Sequence, residues 1–222
     1  MNPKENQFQE QLVDIQINRI TLEGNLTIPQ NSHSIVLFVH GSGSSRFSPR
    51  NKFVAAEINK VGIATLLFDL LTKEEELIDI NTAEFRFDIN LLAERLIKAT
   101  EWVSTNPETK NLKIGYFGSS TGAAAALIAA AKLPQSTFAV VSRGGRPDLA
   151  ETDILEIVKA PTLLLVGGDD KEVIELNDKA LHHLNNKSKL EIIPGATHLF
   201  EEPGKLEEVS FLAARWFETN VE

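Results

Sequence analysis

Ser120 stands at the middle of Gly118-Ser119-Ser120-Thr121-Gly122, between an apolar stretch and an alanine-rich one. In a G-x-S-x-G pattern, a serine on a sharp strand-to-helix corner is held out of the backbone. The flanking glycines admit close backbone approach, and the first N–H groups of the following helix point towards whatever the hydroxyl attacks. A neutral hydroxyl is a poor nucleophile, so it needs a base within hydrogen-bond reach, and that base needs a carboxylate to hold its tautomer. The chain offers both further along: Asp169 and Asp170 after one apolar run, and His198 after another. Of the two aspartates, Asp170 is favoured, because Gly167 to Asp169 then form the turn that lifts it towards His198.

The remaining histidines are less suited to this work. His33 precedes a strand, and His182 and His183 are neighbours on a helix, where adjacent side chains point apart and make no metal-binding face. His40 follows a strand but is joined to Gly41, which suggests a supporting role for its loop. No metal and no cofactor are expected. The glycine-rich loop His40-Gly41-Ser42-Gly43-Ser44-Ser45 lacks the Gly-Lys-Ser/Thr ending and the G-x-G-x-x-G spacing that cradle nucleotides.

The elements that must position these residues alternate. Residues 12–28 alternate apolar and polar with a break at Glu23-Gly24-Asn25, the pattern of an antiparallel hairpin at a sheet edge. Then come runs dominated by apolar residues, as strands buried on both faces require, most completely at 35–39 and 162–166; 63–68, 137–141, 112–117 and 190–193 complete the set. Helical stripes lie between them. One begins at Ser48-Pro49 and carries Val54, Ile58 and Val61; another runs from Phe85 through Ile89, Leu92, Leu96 and Val103; a third is the alanine run after Gly122. Val173 to Leu184 and Leu206 to Trp216 supply two more, while Lys73-Glu74-Glu75-Glu76 reads as a solvated stretch of loop. The expectation is one α/β domain over 1–222, with a mostly parallel sheet, an antiparallel N-terminal edge and helices on both faces.

Composition narrows the class. With 42% apolar residues the chain can bury a sizeable core, and no apolar run approaches the roughly 20 residues that span a bilayer. A formal charge of −9 disfavours a nucleic-acid partner held through phosphates. The absence of cysteine removes disulfides and thiolate chemistry, and Met1 to Gln7 lack a secretory pattern, so a cytoplasmic location is expected.

In an open parallel sheet, ligands bind outside the carboxyl ends of the strands, where Ser120, Asp169 or Asp170, and His198 all fall. With His40-Gly41-Ser42-Gly43, Gly118 to Gly122, Val166-Gly167-Gly168-Asp169-Asp170 before Val173, and Gly195-Ala196-Thr197-His198, the chain resembles the α/β-hydrolase superfamily and its small dienelactone hydrolase-like branch. The resemblance implies Ser120 as nucleophile, His198 as general base and then acid, and Asp170 as the orienting acid. It also implies an oxyanion hole formed by the N–H groups of Ser42 and Thr121. Dienelactone hydrolases proper have a cysteine at the elbow, which this chain lacks, so their substrate does not carry over. Hydrolysis of a small ester or lactone through an acyl-enzyme is the implied reaction. The alternatives are acyl transfer to another acceptor and a non-catalytic ligand-binding protein on the same fold.

Only about twenty residues separate Val141 from Thr162, too few for a large cap domain, so small substrates are expected. Arg46, Arg50, Arg143 and Arg146 follow strands near the site and suit an anionic substrate portion. Against this stands internal pairing with Asp69, Asp148 or Glu74 to Glu76.

Overall fold

The computed structural model describes residues 8–221, so the stretch Met1 to Gln7, read above for a leader pattern, lies outside the described residues. Eight strands, β1 (Glu10–Ile17), β2 (Ile20–Thr27), β3 (Ser34–Val39), β4 (Ala64–Phe68), β5 (Lys113–Ser119), β6 (Thr137–Arg143), β7 (Thr162–Gly167) and β8 (Lys189–Ile193), form one sheet in the order β1-β2-β4-β3-β5-β6-β7-β8. β1, β2 and β4 pair antiparallel, and all the other pairings are parallel. Around the sheet lie α1 (Pro49–Lys60), α2 (Lys73–Thr82), α3 (Ile89–Thr105), α4 (Thr121–Lys132), α5 (Thr152–Ile157), α6 (Lys171–Leu181) and α7 (Lys205–Asn220). None of the helices among the described residues is long and apolar enough to cross a membrane.

The sheet separates two cores, which is why its central strands are apolar on both faces. On one face Leu37, Leu66 and Tyr116 pack with Leu92 and Leu96 of α3 and with the alanines of α4. On the other, Phe38, Leu67 and Phe117 meet Val54 and Ile58 of α1 and Val209, Ala213 and Phe217 of α7. Every residue of α4 from Thr121 to Ala131 is buried, as a helix of small side chains lying close against a sheet should be.

Three local expectations are corrected. The hairpin turns at Asn18-Arg19, with Asn18 at φ 53°, instead of at Glu23-Gly24-Asn25. Asparagine tolerates the left-handed region that a two-residue turn needs, and Gly24 is left inside β2 opposite Val13 and Phe68. The glutamate run is helical: Thr72 accepts from the N–H of Glu75 (3.2 Å), and the Glu75 carboxylate accepts from the N–H of Thr72 (2.8 Å), a capping box that starts α2. The helix expected from Phe85 begins at Ile89. The Asp79 carboxylate accepts from the N–H groups of Phe85 (2.7 Å) and Arg86 (3.0 Å), drawing that stretch out of helix, and Asp88 supplies the cap at the N–H of Leu91.

Candidate functional site

β5 delivers Ser120 in a backbone conformation that few residues adopt, φ 51° and ψ −122°. Such a residue persists only where its surroundings over-determine it. Here the Ser120 N–H donates to the carbonyl of Arg143 (3.2 Å), and the Ser120 carbonyl accepts from the N–H groups of Ala123 (3.1 Å) and Arg146 (3.1 Å). The corner can be this tight because residue 122 is glycine. A Cβ there would lie 2.3 Å from the carbonyl oxygen of Val39 and 2.6 Å from that of His40.

The carboxyl ends of β7 and β8 deliver the other two residues. Asp170 caps α6, and its Oδ2 lies 2.7 Å from Nδ1 of His198. Asp170 is largely buried while the His198 ring is half-exposed, so one end of the imidazole is anchored and the other is open. Asp169 is exposed and takes no part in this contact; its N–H donates to the carbonyl of Ala196 (3.0 Å). Gly167 lets the two loops meet, since a Cβ on it would come within 2.4 Å of the carbonyl oxygen of Ala196 and 2.6 Å of that of Thr197. The histidine loop is tied from behind by Glu202, whose carboxylate accepts from the Thr197 hydroxyl (2.6 Å) and N–H (3.1 Å); the hydroxyl is the main reason its pKa is held below the usual value.

Ser120 and His198 lean on the same segment. Arg143 and Arg146 bond the Ser120 backbone, and Gly144, between them, lies under His198, with the space for its missing Cβ 3.4 Å from the ring's Cε1. The structure also brings Ser42 and Thr121 together. The Ser42 N–H donates to Oγ1 of Thr121 (3.0 Å), so one donor expected for the oxyanion hole rests on a hydroxyl in this state. Thr121 opens α4, where the N–H groups of the first turn have no partner within the helix.

Two supporting contacts escaped sequence reasoning. The His40 ring, buried behind its loop, has Nδ1 3.0 Å from the Gly41 carbonyl and accepts the N–H of Leu70 at Nε2 (3.2 Å). Since Nε2 accepts, His40 is neutral with its proton on Nδ1, and burial pushes its pKa below the ordinary value. Ser119 donates to Oδ1 of Asn51 (3.1 Å), tying the elbow to α1. Beside the loop 41–45 lies a cavity of about 220 Å³ lined by His40, Ser42, Leu70, Ile80, Arg86 and Leu92. Its lining mixes Leu70, Leu71, Ile80 and Leu92 with Asp69, Glu76, Asp79 and Arg86, which suits a small organic group with a polar part.

The arginines divide. Arg46 is no candidate for substrate, contrary to expectation: its guanidinium is committed to Asp69, to Glu23 (2.5 Å) and to Oδ1 of Asn25 (3.0 Å). Arg146 forms a two-pronged pair with Asp148 at 2.8 Å on each branch. The Asp69 and Asp148 pairs are those that internal pairing names. Arg143 has no such partner. It is buried, its Nε and Nη1 bond nothing among the described residues, and burial, with Arg50 nearby, pushes its pKa down to about 10.

Residues 22–219 match the profile of the dienelactone hydrolase family. A structure of a dienelactone hydrolase from Anabaena variabilis is 56% identical and superposes with a TM-score of 0.95, over 97% of this chain and 100% of that one. Est1E from Butyrivibrio proteoclasticus shares the fold at 17% identity, with a TM-score of 0.79 over 95% and 98% of the two chains. In two strains of Mycobacterium tuberculosis, proteins provisionally named phosphoribosyl transferases are 54% identical over 210 residues. That alignment covers 95% of this chain and 46% of theirs, so the chain spans about half the length of these relatives.

Proposed function

The chain belongs to the dienelactone hydrolase family, and we propose that it is a serine hydrolase of small carboxylic esters or lactones, working through an acyl-enzyme. The carrying observation is the 2.7 Å contact between Asp170 and His198, beside the segment 143–146 whose backbone also holds the strained Ser120. Asp170 fixes the proton of His198 on Nδ1, leaving Nε2 as the base. His198 takes the Ser120 proton as Oγ attacks the carbonyl carbon, and returns it to the leaving alkoxide as the C–O bond breaks. Water then attacks the acyl-enzyme with His198 again as base, releasing the acid and restoring Ser120. The oxyanion of each tetrahedral intermediate is received by the N–H groups of Ser42 and Thr121, the Thr121 hydroxyl yielding its hold on the first. One such donor is worth roughly 10²–10³ in turnover.

Ser120 in place of the cysteine of dienelactone hydrolases proper supports an ordinary ester or lactone as substrate. The cavity beside Ser42 has room for a compact acyl or alcohol portion. The stretch shared with the M. tuberculosis proteins coincides with the hydrolase-family match, so phosphoribosyl transfer is not assigned to this chain. A cytoplasmic site of action, inferred from the sequence, is part of the proposal.

The test is labelling by a fluorophosphonate probe, located by peptide mass spectrometry, with hydrolysis of short esters and lactones measured alongside. Wild type should label at Ser120, and Ser120→Ala and His198→Ala should abolish labelling and lower turnover by at least about 10⁴-fold. A folded wild type that neither labels nor turns over would support the binding-protein reading. Product analysis with added alcohols or amines separates hydrolysis from acyl transfer.

A further inference from the structure

Buried polar atoms in folded proteins are almost always hydrogen-bonded, so each exception asks for an explanation. Five side-chain atoms are buried without a partner among the described residues, and three belong to two arginines: Nε of Arg50, and Nε and Nη1 of Arg143. The two are linked through the elbow: Arg143 pairs with Ser119 across the sheet, and Ser119 bonds Asn51, the residue after Arg50; the Arg50 charge adds to the lowering of the Arg143 pKa. A buried guanidinium without a counter-ion is among the costlier arrangements a core can hold, and a second cation beside it adds to the cost.

The pair stands next to the elbow. Arg143 ends β6 opposite Ser119, and its own carbonyl holds the Ser120 N–H. Alternation along the strand puts its side chain on the face of Ala139 and Val141, which α1 and α7 cover. Arg50 lies in the first turn of α1, beside Asn51, the residue bonded to Ser119. Among the described residues the only acid on either guanidinium is Glu201, 2.8 Å from Nη1 of Arg50 and itself exposed. Arg143 has none.

We propose that Arg143 and Arg50 form an anion subsite, on the α1 side of Ser120, for a phosphate group carried by the ester substrate. This deepens the serine-hydrolase reading and rests on it for the meaning of substrate. Two cations with orphaned N–H groups on three nitrogens suit the near-double negative charge of a phosphate monoester better than the single charge of a carboxylate. Arg46 and Arg146 contribute nothing, being held by their own acids.

Binding is read first as thermal stabilisation of the whole chain by inorganic phosphate, against chloride and acetate at equal ionic strength. Phosphate should raise the wild-type Tm by several degrees and acetate should not. Arg143→Met, which replaces the buried charge by an apolar side chain of similar length, should fold and lose the shift; Arg50→Gln should reduce it. In turnover, the kcat/KM ratio of a short phosphate-bearing ester to its neutral isostere should fall at least ten-fold in Arg143→Met. An equal phosphate shift in wild type and Arg143→Met, an equal shift from acetate, or an unchanged ratio overturns the subsite. Should Arg143→Met not fold, Arg143→Lys carries the same comparison, with the loss expected to be partial. Fluorophosphonate labelling of wild type separates the two readings. A labelled Ser120 without a phosphate shift removes only the subsite, and an Arg143-dependent shift without labelling removes only the hydrolase.

Discussion

The backbone N–H of Leu70 donates to Nε2 of His40 across 3.2 Å, joining the loop after β3 to the loop after β4. A protonated ring cannot accept that bond, so the neutral form is part of the folded state. Burial also disfavours the charge, and lowers the His40 pKa from about 6.5 against the opposing pull of the Gly41 carbonyl, Asp69 and Glu76. A base whose folded pKa is lowered gives stability that is complete above its unfolded pKa. It is lost as pH falls below about 6.5 towards the folded value, because the unfolded chain then binds more protons. Thermal denaturation from pH 7.5 to 5 should show this as a falling Tm, and His40→Gln should flatten that part of the curve. An unchanged slope in His40→Gln would mean that His40 titrates freely.

Asp170 and Asp169 are adjacent and equally charged, yet only Asp170 meets His198. Asp170→Asn keeps the shape but favours the wrong imidazole tautomer, and should lower kcat by roughly 10³–10⁴-fold with little change in fold. Asp169→Asn should retain most activity, since the 169 contact runs through the backbone to Ala196. Steady-state kinetics on the pair decides, and similar losses in both would remove Asp170 from the role proposed for it.

The separation of those aspartates shows what a sequence can carry. The placement of Ser120, Asp170 and His198 after strands was legible because the apolar run before each declares itself, and parallel sheets gather such ends on one side. Arg46 was not, because its partners Glu23 and Asn25 lie on β2, brought beside it only when β2 pairs with β4. The helix at Lys73 was legible in principle, in Thr72 and Glu75 three apart, but a run of glutamates looks the same on a loop as on a solvated helix. The late start of α3 followed from Asp79, whose contacts with Phe85 and Arg86 no periodicity encodes. The mostly parallel sheet with its antiparallel edge was visible in the alternation of elements; its strand order and the asymmetry among the arginines required coordinates.

Gly167 is the point of closest approach between the aspartate and histidine loops. Gly167→Ala would set a methyl 2.4 Å from the Ala196 carbonyl oxygen, a backbone atom that no side-chain rotation can move aside. The loops must part, lengthening the Asp170 to His198 contact. The expected result is a loss of about 1–3 kcal/mol in urea denaturation together with a larger fall in the rate of Ser120 labelling. Stability lost with the labelling rate intact would show that the histidine loop tolerates the shift.

Arg46 and Arg146 both pair with acids near the site, but burial separates their consequences. Arg46 is buried, and truncating it leaves Asp69, Glu23 and Asn25 without their shared donor, so Arg46→Ala should destabilise by about 3 kcal/mol. Arg146 is exposed at 38%, and water replaces much of what Asp148 provides; Arg146→Ala should cost no more than about 1 kcal/mol. Raising the ionic strength should weaken the second pair more than the first. Urea denaturation of both variants at low and high salt measures the difference. A cost for Arg46→Ala as small as that for Arg146→Ala would mean that the Arg46 network does not hold the loop after β3 against β2 and β4.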